Sequence, residues 1–245
     1  MKSMARAGRL LVLLSLAAAV AAQGGWGRGV VRKDTERYRR TRMNWGGKLP
    51  TEEELAKPPV PGQPRPKPLL VYVASSLRTR DQERFEEVVV QNESFVIAAK
   101  FFVCAQVSEA TAKTHQLFEG LNWKAPAILV IDSSRQVREV ARGRASAMKA
   151  VDLMRMVGQP DYVTDINETL RQAKLVLGNF DQVDAGREAL KIKRTRVENA
   201  LGKGDEAKAR VLEKECDKDE AELDALFKKT EQEWNDLLKV KIKNA

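Results

Sequence analysis

The chain has 245 residues, 43 Lys plus Arg against 34 Asp plus Glu, one His and two Cys, for a net charge of +9. A hydrophobic fraction of 43% suffices for a core and argues against wholesale disorder. Two cysteines exclude a disulfide scaffold, and a single histidine beside them argues against a zinc site of Cys/His type.

Residues 1–22 read as a signal peptide. Lys2, Arg6 and Arg9 precede the apolar run Leu10 to Val20, and Val20-Ala21-Ala22 places small residues before Gln23. This is the pattern of a cleaved export signal, with an uncleaved anchor as the alternative. The run is short of the roughly 20 residues a spanning helix needs. The expectation is a periplasmic or secreted protein with no transmembrane segment after cleavage.

The charge is uneven. Residues 23–67 carry 11 basic and 5 acidic groups, residues 68–157 carry 12 and 10, and residues 158–245 carry 17 and 19. Basic character therefore belongs to the signal and the segment after it, not to a nucleic-acid-binding domain. Arg28, Arg32, Lys33, Arg37, Arg39, Arg40 and Arg42 cluster, with Trp26, Tyr38 and Trp45 interleaved. Two readings are a solvated arm and a contact to an anionic surface. Export argues against nucleic acid as that surface. From Pro50 to Pro68 prolines accumulate and favour extended backbone, so residues 23–67 are expected to be a basic, then Pro-rich, disordered linker.

From Leu69 the pattern becomes compact. Leu69–Ala74 is a buried strand by its apolar run. Thr79 to Gln82 reads as a capping box opening a helix that runs to about Val90. Phe95 to Gln106 reads as the second strand, and Ser108 caps a helix ending near Gly120. Asn122 to Asp132 is a proline-containing loop feeding a third strand. Gln136 to Ala141 alternates as a fourth, and Ser146 caps a last helix that Gly158 and Pro160 end.

The order β-α-β-α-β-β-α over 68–157, with RFEEVVVQNESFV (Arg84 to Val96), Ala125-Pro126-Ala127 before ILVID, and Gly143, resembles the thioredoxin-like fold, in particular exported thioredoxin-like domains. The resemblance implies an α/β domain with a mixed sheet. It also implies that Ala125, Pro126 and Ala127 form a cis-proline loop able to offer backbone groups to an extended peptide. Family oxidoreductases place Cys-x-x-Cys where the first helix lowers a thiol pKa. The matching segment here, Ser75, Ser76, Leu77, Arg78, Thr79, Arg80 and Asp81, contains no cysteine. Thiol–disulfide exchange at that turn is therefore excluded.

Other chemistry is sparse. Cys104 reads as a buried small hydrophobe, and Cys216 falls in a charged helix; whether they are free or bridged stays open. His115 has no local carboxylate and is assigned to packing or solvent. Ser75 and Ser76 lack an identifiable base. No Gly-rich phosphate loop, Gly-x-Ser-x-Gly or carboxylate set with ligand spacing is present, so no cofactor or metal is expected. Asn92 and Asn167 open sequons that matter only in a glycosylating host.

Residues 158–245 hold 36 charged groups and no proline after Pro160. Thr164 is expected to cap a helix ending at Gly178. A second helix carries Val183, Leu190 and Val197, and the turn Gly202–Asp205 leads to a third, from about Glu206 to Lys241. Leu223, Phe227, Thr230, Trp234 and Leu237 alternate four and three, a heptad-like seam. The reading is an α-helical, coiled-coil-like hairpin that packs on the α/β domain or pairs two copies into a homo-oligomer.

Together these features point to an exported, non-catalytic interaction or scaffold module in the cell envelope, with protein partners. Two alternatives differ in class. One is a glutathione-transferase-like or other thioredoxin-fold enzyme without Cys-x-x-Cys. The other is an atypical thiol-redox component using Cys104 and Cys216.

Overall fold

The computed structural model describes residues 35–57, 60–142 and 145–244. The expected signal at 1–22, the arm residues Arg28, Arg32 and Lys33, and Gly143 lie outside the described residues. The chain divides into two compact units. An α/β unit comprises 41–173 and 237–244, and a helical unit comprises 35–40 and 174–236. The expected boundary at 157/158 thus shifts to 173/174.

In the α/β unit, β1 (Leu69–Ala74), β2 (Val103–Ser108), β3 (Ala127–Ile131) and β4 (Val137–Arg142) form one mixed sheet ordered β2-β1-β3-β4. β1 pairs in parallel with β2 and antiparallel with β3, which pairs antiparallel with β4. The central strands read LLVYVA and AILVI because both of their faces are covered. Each fully buried Val, Leu or Ile there contributes about 1.5–3 kcal/mol.

A parallel pair requires a crossover. It is supplied by α3 (Arg80–Phe85), a π-helical turn (Glu86–Val90) and α4 (Glu93–Ala99). The opposite face, carrying Leu69, Val71, Val73, Leu129 and Ile131, is closed by Ala112 of α5 (Glu109–Thr114) and by Phe118 of the 3-10 turn Gln116–Phe118. α6 (Ala147–Gly158) packs on α4 and the sheet, capped by Ser146, whose hydroxyl accepts from the Lys149 amide at 3.2 Å.

Three local expectations are corrected. Residues 95–99 are helix rather than strand. Asn92 Oδ1 accepts from the amides of Ser94 (3.0 Å) and Phe95 (3.4 Å), and the apolar run is buried on every side of α4, where periodicity carries no signal. Thr79 does cap α3, but Gln82 donates to Glu86 Oε1 at 2.9 Å instead of reaching back. The expected linker also has structure. Thr51 and Glu54 form a complete capping box on α2 (Glu52–Ala56), Gly46 bridges Ala105, and Pro64 bridges Asn244.

The C-terminal segment is extended, not helical, beyond Leu237. Ile242 bridges Tyr162, and the Lys243 amide donates to the Asp161 carbonyl at 2.9 Å. Buried Asp161 also accepts from the Ser133 hydroxyl and amide and from Arg65.

α7 runs unbroken from Ile166 to Gly202, through the Gly178 expected to end it, and Asp165 rather than Thr164 caps it. α8 spans Glu206–Leu237 after a turn in which Gly204 takes φ 76°, a left-handed conformation suited to glycine. Within the helical unit the seam buries Leu177, Phe180 and Val183 with Cys216, Thr230 and Trp234. Gly186 is where Leu223 fits: an added Cβ would stand 2.3 Å from Leu223 Cδ2.

The basic segment is not a free arm where it is described. α1 (Glu36–Arg40) lies on the hairpin of the helical unit, with Arg37 paired to Asp181 and Arg40 to Glu231 at 2.9 Å. Buried Glu36 faces Arg39, Arg40 and Arg187 at 3.0–3.6 Å. Arg40 also lies over the Phe180 ring, 4.9 Å from its centroid.

Candidate functional site

The register gathers the expected site residues at one end of the sheet. Val73 pairs with Ala127, Ala74 with Ser108, and Ala127 with Arg142. The turn after β1 and the loop before β3 therefore leave the sheet side by side, as antiparallel neighbours must.

In the turn, Ser75 is half-buried, whereas Ser76, Leu77, Arg78, Thr79, Arg80 and Asp81 are exposed. Leu77 is 76% exposed, the most exposed of the large apolar side chains described. Arg78 pairs with Glu83 at 3.2 Å on the surface, and the Thr79 hydroxyl is occupied as the α3 cap. In the loop the Ala125–Pro126 peptide is cis. Ala125 is half-buried, Pro126 is buried, and Ala127 is fully buried within the apolar cluster. Arg142 donates to the Asn122 carbonyl and tethers the same loop.

This end presents exposed backbone, hydroxyls and one apolar side chain. No thiol stands in the turn, and no hydrogen bond joins Ser75 or Ser76 to a base among the described residues. Cys104 is elsewhere, on β2 opposite Leu70, where it donates to the Ala99 carbonyl at 3.3 Å. Burial pushes its thiol up to about 12, which holds it protonated and unreactive near neutrality. Cys216 is buried in the helical unit, its thiol likewise raised by burial, and both cysteines are free. His115 Nδ1 accepts from the Leu117 amide at 3.2 Å and caps the 3-10 turn, a structural role. Asn92 is engaged as the α4 cap, while Asn167 faces Arg155 on the surface.

Two arrangements in the α/β unit escaped the sequence reading. On one sheet face Tyr72 donates to Glu86 Oε1 at 2.8 Å, the Trp45 ring lies 5.6 Å from that of Tyr72, and buried Gln82 Oε1 has no partner. Burial, then Glu86, raise the Tyr72 phenol above its ordinary range. Next to the edge strand β2, the Gly47 amide donates to the Cys104 carbonyl at 2.9 Å, so residues 46–47 cover an otherwise open edge. A cleft of about 290 Å³ lies between this segment, α4 and β2, with Lys100 on its wall. The sequence signal for it is a basic residue, Lys100, directly after the five apolar residues Phe95 to Ala99, a run that by composition reads as a strand.

Among the described residues no cluster of three His, Cys, Asp or Glu is arranged to hold a metal, and no helix is long and apolar enough to cross a membrane. In comparisons with known proteins, no family model, no curated protein and no solved structure matches the chain.

Proposed function

We propose that the chain is an exported, non-catalytic interaction protein in which 68–157 form a thioredoxin-like domain without its redox motif. The observation that carries the reading is the sheet. Its order β2-β1-β3-β4, with a parallel first pair and an antiparallel second half, makes it a mixed sheet, as the resemblance implies, and supports the reading. A cis Ala125–Pro126 bond stands where the resemblance puts one. The adjacent turn from Ser75 to Asp81 supplies exposed contact surface in place of a thiol pair. The export half of the reading rests on the residue pattern of 1–22.

In this proposal an extended peptide segment of a protein partner pairs with the loop backbone at Ala125 and contacts Leu77, by strand addition. Ala127 is fully buried, so a bulky residue there would damage the core and report nothing about binding. The test is display selection of peptides on residues 23–245, then titration against Leu77→Asp and Ala125→Trp. Selected peptides that lose at least about tenfold affinity for both variants support the reading. Peptides that bind both variants as well as the parent refute it. Crosslinking that recovers only second copies of the chain would replace it with self-association through the helical unit.

A further inference from the structure

We propose that the cleft beside β2 is a binding site for a small amphipathic anion, of the short-chain monocarboxylate class, held by Lys100. Its volume of about 290 Å³ lies at the small end of ligand pockets. The wall combines apolar side chains, Met43, Val96, Phe102 and Val103, with two polar ones, Asn44 and Lys100. No acidic residue contributes to it.

Lys100 is the decisive group. It is half-buried, at the C-terminal end of α4, and has no carboxylate partner among the described residues. The group that acts on it electrostatically is Cys104, whose protonated thiol contributes no negative charge near neutrality. Buried cations are ordinarily paired, because desolvation of an ammonium is costly without a counter-charge. Burial accordingly lowers the Lys100 pKa. An anion in the cleft supplies the missing counter-charge. Asn44 Oδ1 already accepts from the Gly46 amide at 3.0 Å, which leaves its NH2 group as a second donor for a carboxylate. The alkyl part of such a ligand then covers the partly exposed Met43 and Val103 side chains, over a floor formed by buried Val96 and Phe102. Inorganic anions satisfy the first requirement and not the second, and alkylamines the reverse.

The test is a titration of the full chain with hexanoate, read by NMR at the Lys100 ε-methylene and the Val96 and Val103 methyls. The expected result is a saturable shift at all three positions. Lys100→Met should weaken hexanoate at least about tenfold while melting no lower than the parent, and Lys100→Arg should retain most of the affinity. Hexylamine should produce no saturable shift, and phosphate a much weaker one than hexanoate. The proposal is overturned by any of three results: no saturable shift below about 10 mM hexanoate, equal hexanoate affinity in folded Lys100→Met, or hexylamine binding as well as hexanoate.

Discussion

Replacing Gly47 by alanine tests whether the segment before α2 truly seals the sheet edge. An added Cβ at Gly47 falls 2.7 Å from the Cys104 carbonyl oxygen and 2.7 Å from Val103 Cγ1, where ordinary contact begins at 3.4 Å. The segment must therefore retreat by about 0.7 Å, which stretches the 2.9 Å hydrogen bond from Gly47 to Cys104 to about 3.6 Å and breaks it. One lost backbone bond and the overpacking together come to about 1.5–4.5 kcal/mol. That energy is local, so the expected response is lifting of the segment rather than global unfolding. Cys104 is the reporter, being buried beside the cleft that this segment covers. Native-state alkylation, with Cys104 and Cys216 resolved by peptide mass spectrometry, should show Cys104 labelled at least about tenfold faster. Gly46→Ala is the control, because its Cβ approaches only the movable Asn44 side chain, at 3.0 Å. Equal Cys104 labelling in the two variants would refute the reasoning.

The other predictions are independent of that edge. Phe95→Ala empties a fully buried site in α4 and should cost about 3–5 kcal/mol in urea unfolding, whereas exposed Val88→Ala should stay within about 0.5 kcal/mol. Glu36→Ala removes the buried carboxylate facing Arg39, Arg40 and Arg187, and trypsin should then cut within 37–40 much faster than in the parent. An unchanged cleavage rate would show that α1 is held by other contacts. The Cys104 thiol is raised in the fold from 9.0 to about 12, so the stabilisation it contributes is complete below pH 9 and is lost as pH rises toward 12. Urea midpoints should therefore fall between pH 8.5 and about 10.5, and fall less in Cys104→Ala. Tyr72, Tyr162 and Cys216 are raised in the same direction, whereas Lys100 is lowered and works against them, and together these groups set the residual slope.

Much of the α/β unit was legible in the chain because its signals are local. The apolar runs LLVYVA, between Pro68 and Ser75, and AILVI, between Pro126 and Asp132, admit few structures other than buried strands, and Thr79, Ser108 and Ser146 announce the helices they cap. The turn at Gly204 was equally plain. Where the reading failed, the deciding interaction lay far along the chain or was shared among neighbours. Phe95–Ala99 is apolar throughout because α4 is enclosed, so neither period stands out. Gly178 is tolerated inside α7 because the cost of one glycine, about 1 kcal/mol, is small beside the packing of Leu177 and Phe180.

The candidate site divides in the same way. The absence of a thiol from Ser75–Asp81 is a property of the sequence alone, and so is the proline at 126. That this turn and this loop share one end of the sheet follows from strand register, which unites residues some 50 positions apart. Lys100 is an ordinary lysine in one dimension. It becomes a candidate anion site because residues 43–47 return to the β2 edge, cover it, and leave no carboxylate beside it. Likewise the arginines of 37–40 read as free positive charge until acids at 181 and 231 are brought to them. Composition and short-range spacing determined which elements form and which chemistry is missing. Only tertiary structure decided which charges are paired, because pairing depends on distances that the order of residues does not contain.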